Sequence, residues 1–158
     1  MPSQVLIGPP AKAAVATLTE VLTHDSAAVR ACAVLALGRI GSDAKPALPA
    51  IRKALRDNDP NVRGRAAIAL WRVSRQPNEA TPALIAALKD AHKLKREDVS
   101  DWTVRRLLRT IGEIGRPAKD AGAALLPFLK SPDDGVRWWA HQTLKKVDPQ
   151  AAKKAGVR

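Results

Sequence analysis

A register that returns every 33 residues constrains this chain more than any single motif. Val29-Arg30 opens VRACAVLALGRIG, ending at Gly41, and Val62-Arg63 opens VRGRAAIALWRVS, ending at Ser74. Val104-Arg105 (VRRLLRTIGEIG) and Val136-Arg137 (VRWWAHQTLKKV) follow. Between these runs Leu22, Leu55 and Leu88 are also 33 apart. Such self-similarity builds a stack of small units, none of which can bury its apolar face alone. Stacks of this kind present extended surfaces suited to binding rather than a single catalytic cleft.

Each unit reads as two helices. The first is short and is expected at 14–22, 47–55, 81–88 and 121–129, with apolar residues at helical spacing such as Leu84, Ile85 and Leu88. Pro49 and Pro82 share one register position, in the first turn, where a missing N–H is harmless. Pro127 falls within the fourth first helix and is expected to kink it. The second helix follows turns rich in Asp, Asn, Ser and Pro at 23–26, 57–60 and 131–134, which carry N-cap chemistry. Gly41, and Gly115 with Pro117 beyond it, are stop signals.

Advancing about 100° per residue from Val29 places Ala33, Ala36, Leu37 and Ile40 on one stripe. The matching stripes are Val62, Ala66, Ala69, Leu70 and Val73, and Val136, Ala140, Thr143, Leu144 and Val147. These are the expected core. The strip opposite them reads Ala31, Leu35, Gly38; Gly64, Ile68, Trp71, Arg75; Arg105, Arg109, Gly112, Arg116; Trp138, Gln142, Lys145.

The run from Asp25 to Gly41 fits D-x(3,4)-VR-x-x-A-x-x-A-L-G-x-I-G and resembles the HEAT-repeat family, in the short form related to phycobilisome-lyase repeats. The resemblance decays along repeats at about 11–41, 45–74, 79–115 and 118–147, with 149–158 as a C-terminal tail. The second repeat has Trp71 and Ser74 for the glycines; the third is one residue shorter from Val104 to Gly112; the fourth has Lys145 at the glycine position. The resemblance implies an all-α fold, an α-solenoid of about four stacked hairpins. It also implies a right-handed superhelix with the second helices on the concave side. It further implies a ladder in which Arg30, Arg63, Arg105 and Arg137 pair with turn aspartates of adjacent repeats, drawn from Asp25, Asp57, Asp101 and Asp133 or Asp134.

Formal net charge is +12. Asp25, Asp57, Asp59, Asp98, Asp101, Asp133 and Asp134 sit in the turns before the second helices. Within those helices stand Arg30, Arg39, Arg63, Arg65, Arg72, Arg105, Arg106, Arg109, Arg137, Lys145 and Lys146, against one acid, Glu113. The inner surface is therefore expected to be positive. The opposite strip supplies the candidate binding residues: Trp71, Arg75, Arg105, Arg109, Arg116, Trp138 and Lys145. Trp and Arg are the side chains most enriched in binding hot spots. Trp139 is expected to be partly buried and Trp102 to pack at the start of its helix. The third Val-Arg comes nine residues late, so an inserted loop at 91–100 is expected, in which Lys93, Lys95 and Arg96 are possible contacts.

Catalytic chemistry is not legible. His24, His92 and His141 are scattered, and no Cys/His or carboxylate cluster has ligand spacing, so neither a metal nor a cofactor is expected. Cys32 stands alone, which excludes an internal disulfide, and reads as a core filler. No apolar run is long enough for a membrane span and no secretory leader is evident, so a cytoplasmic location is expected. The favoured expectation is a non-enzymatic scaffold that takes an acidic protein or peptide on a basic concave surface. The alternative is a module that binds nucleic acid through its phosphates. A HEAT-like DNA glycosylase or lyase comes third; Trp102, Asp101 and Trp138 match the former's Trp and Asp only superficially.

Overall fold

Capping chemistry sets the starts of the second helices. The computed structural model of the chain describes residues 9–94 and 99–157, and all of its regular elements are helical. The second helices are α2 (Ala27–Ile40), α4 (Pro60–Ser74), α6 (Asp101–Ile114) and α8 (Asp134–Val147). The Asp59 carboxylate accepts from the N–H groups of Asn61 and Val62, Ser100 Oγ from Thr103, and Asp133 from Val136. Each bond satisfies a donor that the first helical turn leaves unpaired. Helices α2 and α6 stop at Gly41 and Gly115, both with φ of 73°, a region that favours glycine.

The first helices are less regular. Helix α1 spans Pro9–Val21, and α3 (Leu48–Ala54) follows a 3-10 segment, Gly41–Ala47. Helix α5 runs Pro77–Lys93, so it starts at Pro77 and carries Pro82 in its interior, not in its first turn as the register suggested. It also absorbs part of the insertion. The fourth first helix breaks rather than kinks: 3-10 segment Arg116–Ala121, α7 (Gly122–Leu125), then 3-10 segment Leu126–Lys130 around Pro127. A last helix, α9 (Pro149–Lys154), starts under the Asp148 cap and buries Ala152 against the stack.

The architecture is an all-α solenoid of stacked helical hairpins. The second helices pack side by side, α2 on α4, α4 on α6 and α6 on α8, and the first helices cover their other side. The expected stripes of the second and fourth repeats are fully buried, from Val62 to Val73 and from Val136 to Val147. The first repeat departs: Ala33 and Leu37 are buried, Ala36 and Ile40 half-buried, and Val29 is 36% exposed.

The strip opposite the core is not open either. Ala31, Gly38, Gly64 and Ile68 are buried because each second helix meets the next one there. A Cβ on Gly38 would lie 3.1 Å from Ala69 Cα, one on Gly112 3.2 Å from Thr143 Oγ1, and one on Gly64 2.7 Å from Thr103 Cγ2. Small residues thus bring neighbouring helices into contact, as required when each helix buries two faces. Helix α4 feeds both halves of the core: Val62, Ala66 and Leu70 pack with the first repeat, Ala67 and Ile68 with the later ones.

Counting from the caps corrects the register of the third repeat. Val29, Val62 and Val136 each lie three residues after Ser26, Asp59 and Asp133; three after Ser100 is Thr103, not Val104. Thr103 is buried in the valine's place, and its hydroxyl donates to Asn61 Oδ1 at 3.2 Å. Val104 therefore holds the ladder arginine's place, and Arg105 is one step beyond it.

The ladder joins adjacent repeats through a turn aspartate at Arg30, as the resemblance implies, and differs at Arg63 and Arg105. Arg30 uses Nη1 to cap the carbonyls of His24 and Asp25 in its own turn, and Nε and Nη2 to grip Asp57 of the next repeat at 2.7 and 2.8 Å. Arg63 repeats this, bonding the carbonyls of Asp57 and Asn58 and pairing with Asp90 at 3.0 Å. Both use own-turn backbone plus a next-repeat carboxylate; the acid for Arg63 is Asp90, in the last turns of α5, where a turn aspartate was expected. Arg137 bonds the carbonyl of Ser131 and pairs with Asp134, and Arg105 reaches only the carbonyl of Asp101 at 3.4 Å.

The close approach has a direct test. Gly64→Ala should lower stability by about 1–3 kcal/mol through overpacking. Thr103→Ser, which removes the opposing methyl and keeps the hydroxyl, should restore most of it, read by urea unfolding of the single and double variants. The ladder has a pH signature. The Arg30 guanidinium holds the Asp57 carboxyl below the usual carboxylate value, opposed by partial burial and assisted by the Asp59 N–H. A carboxylate titrating lower in the folded than the unfolded state stabilises fully above its unfolded pKa, about 3.9. That stability is lost as pH falls through the folded value. Asp57→Asn should therefore flatten this part of the acid limb of the urea midpoint against pH.

Candidate binding surface

With one face on the first helices and another on the next repeat, each second helix keeps one open stripe. Counting from the caps, its positions are Cys32, Arg65, Arg106 and Trp139; Leu35, Ile68, Arg109 and Gln142; and Arg39, Arg72, Glu113 and Lys146, of which Ile68 is buried and floors the stripe. Cys32 is exposed, not a core filler, because it holds the place of Arg65 and Arg106 on this stripe.

Arginines dominate the stripe and lack carboxylate partners. Among the described residues Arg39, Arg65, Arg72 and Arg106 make no ion pair, whereas Arg109 pairs with Glu113 at 2.9 Å. The Arg106 guanidinium is pushed below its ordinary value, first by partial burial and then by the like charges of Arg72, Arg109 and Arg39; Glu113 alone pushes back. The Nε of Arg65 is buried without an acceptor. What holds these groups in place is aromatic. Arg65 and Arg106 lie over the Trp102 ring at 5.0 and 4.9 Å, and Arg109 over Trp139 at 5.9 Å. Leu35, Gly38 and Ile68 floor a shallow recess rimmed by Arg65, Arg72 and Trp102.

Not all the sequence candidates meet here. Arg109 does, beside Arg106. Trp71 is half-buried in the seam between α4 and α6, at the place of Gly38 and Gly112, with Arg75 over it at 5.5 Å and its Nε1 buried without an acceptor. A large residue thus stands where α2 and α6 have glycine, and its ring packs against the core of the later repeats. Arg105 lies against the N-terminus of α8, its Cδ 2.8 Å from where a Cβ on Gly135 would be. Arg116 is exposed beyond the end of α6. Trp138, 55% exposed, sets its ring edge-to-face with Trp139 at 4.8 Å. Lys145 is half-buried at the position equivalent to Trp71. Lys93 ends α5 and is exposed; Lys95 and Arg96 lie outside the described residues. The residues that the sequence reading left out of the site are Arg39, Arg65, Arg72, Arg106 and Trp102. Counting from Ser100 instead of from the Val-Arg pair would have found Arg106.

Other concavities carry less. One of about 1140 Å³, between the first two turns, is lined by Arg30, Asp57, Arg52 and Glu79, which are engaged as the pairs Arg30–Asp57 and Arg52–Glu79. Among the described residues no group of three His, Cys, Asp or Glu side chains could hold a metal ion, and no helix is long and apolar enough to cross a membrane.

Comparison with known proteins agrees with this architecture. A family model described as HEAT repeats matches residues 16–99. Two crystal structures of engineered proteins from the Northeast Structural Genomics Consortium are similar. The first is 27% identical with a TM-score of 0.57, over 90% of this chain and 69% of its own. The second is 25% identical with a TM-score of 0.58, over 90% of this chain and 41% of its own. No curated protein matches this chain.

If Trp71 is a seam residue and Trp138 a surface one, their truncations should part. Trp71→Ala should cost about 2–4 kcal/mol, as buried aromatics do, while Trp138→Ala should stay within about 0.5 kcal/mol of the parent. Chemical denaturation of both variants checks this.

Proposed function

This chain belongs to the HEAT-repeat family, whose repeats generally mediate protein interactions, and we propose that its open second-helix face docks an acidic segment of a partner protein without catalysing a reaction on it. One observation carries the reading: Arg39, Arg65, Arg72 and Arg106 share one surface and none has a carboxylate partner among the described residues. A cationic surface left uncompensated raises the local concentration of an anionic partner and speeds its encounter. In this reading the face is the concave side of the stack. Within the family we place the chain with the short, phycobilisome-lyase-like repeats on the pattern from Asp25 to Gly41, and attach no lyase chemistry to that placement.

The rival occupant is a nucleic-acid backbone, which a net charge of +12 would also attract. Three of the four tryptophans argue against a single strand. Trp71, Trp102 and Trp139 each already carry a guanidinium, which occupies the ring surface that a base would stack upon.

A fluorescein-labelled peptide of alternating Glu and Ser is a suitable probe, followed by anisotropy. Arg72→Ala with Arg106→Ala should weaken it about tenfold or more, with k_off carrying most of the change and helicity preserved. Undiminished binding by that double variant overturns the proposal. Stronger binding of a mixed-sequence oligonucleotide, with a steep salt slope, transfers the surface to nucleic acid.

A further inference from the structure

The arginines of this face are too crowded for a ligand that brings one charge per residue. On the turns and first helices, Arg30, Arg52 and Arg63 are each matched to one carboxylate, Asp57, Glu79 and Asp90. Here Arg39, Arg65, Arg72, Arg106 and Arg109 share a single acid, Glu113, and Arg109 already holds it at 2.9 Å. Compensating four guanidiniums with carboxylates requires four of them side by side, which repel one another. A phosphate ester brings about two negative charges and three acceptor oxygens on one centre. Its oxygens match the parallel N–H donors of a guanidinium fork.

We infer that the Trp102 site, with Arg65 and Arg106 over its ring and Arg72 on the same rim, receives a phosphorylated side chain of the partner. This rests on the docking reading and adds the modification that the partner must carry. Trp102 does two things there. Its ring orders both guanidiniums before the ligand arrives, which reduces the side-chain entropy lost on binding. Its own exposure, 36%, leaves an apolar edge beside Leu35 and Ile68 for the methylene of the phosphorylated residue. At this site the occupied Trp102 ring favours a peptide over a stacked base, since two arginines already lie over it.

The test compares three peptides of the same Glu/Ser sequence, with phosphoserine, Asp or Ser at the central position, by anisotropy. The parent protein should bind the phosphoserine form about tenfold more tightly than the Asp form, as expected where a fork-compatible dianion replaces a monoanion. Arg65→Lys keeps the charge but loses the fork. It should bring phosphoserine binding down to the level of Asp and leave the Asp peptide within about twofold. Lys53→Ala, on exposed α3, should change neither. The indole N–H resonance of Trp102, assigned from Trp102→Phe, should move on titration with the phosphoserine peptide and with inorganic phosphate. Equal binding of all charged peptides, with Arg65→Lys weakening them alike, overturns the phosphate site and leaves the docking face standing. No binding of any peptide to the parent overturns both. Displacement of the phosphoserine peptide by a lower concentration of oligonucleotide assigns the site to nucleic acid and overturns the inference.

Discussion

The close contact of neighbouring second helices through small residues is what everything else depends on. Gly38 against Ala69, Gly64 against Thr103 and Gly112 against Thr143 let each helix press on the next with no side chain of its own between them. A helix held this way buries two faces, one on its own hairpin and one on the next. Side chains of helical period can then reach solvent along only one narrow stripe. The arginines on that stripe are consequently aligned from repeat to repeat, and their crowding follows from the packing rather than from local sequence alone.

Two kinds of arginine result. Those of the ladder, Arg30 and Arg63, are tied to turn carbonyls and to the carboxylate of the following repeat, so they staple one repeat to the next. Of those on the open stripe, Arg65, Arg106 and Arg109 lie over indoles, and among the described residues Glu113 is the one carboxylate that pairs with any of them. The chain thus spends its acids on the turns, at helix N-termini where they also suit the helix dipole, and leaves the opposite charge on the face.

Much of this was legible in the sequence, and the failures are instructive. The stripes from Val62 to Val73 and Val136 to Val147 were readable because interior repeats are covered on both sides. The third repeat misled because Val104-Arg105 copies the letters of the motif one residue out of place; Ser100 at one end and Gly115 at the other carried the true register. The binding strip was misplaced by treating each helix as amphipathic with one buried face. Gly38, Gly64 and Gly112 were the available signal that the far side was buried too. Cys32 and Trp71 changed places for the same reason, one expected inside and found outside, the other expected in the groove and found in a seam.

The most direct measurement of the central claim is the stability of Arg72→Gln against the parent, in chloride and in millimolar sulfate at constant ionic strength. Arg72 has no indole or carboxylate contact to lose. If the open face is uncompensated, removing this charge leaves the unfolding midpoint in chloride unchanged or raised, and sulfate stabilises the parent more than the variant. A loss of more than about 1 kcal/mol in chloride, with no response to sulfate, would mean the chain already satisfies that guanidinium itself and would contradict the account.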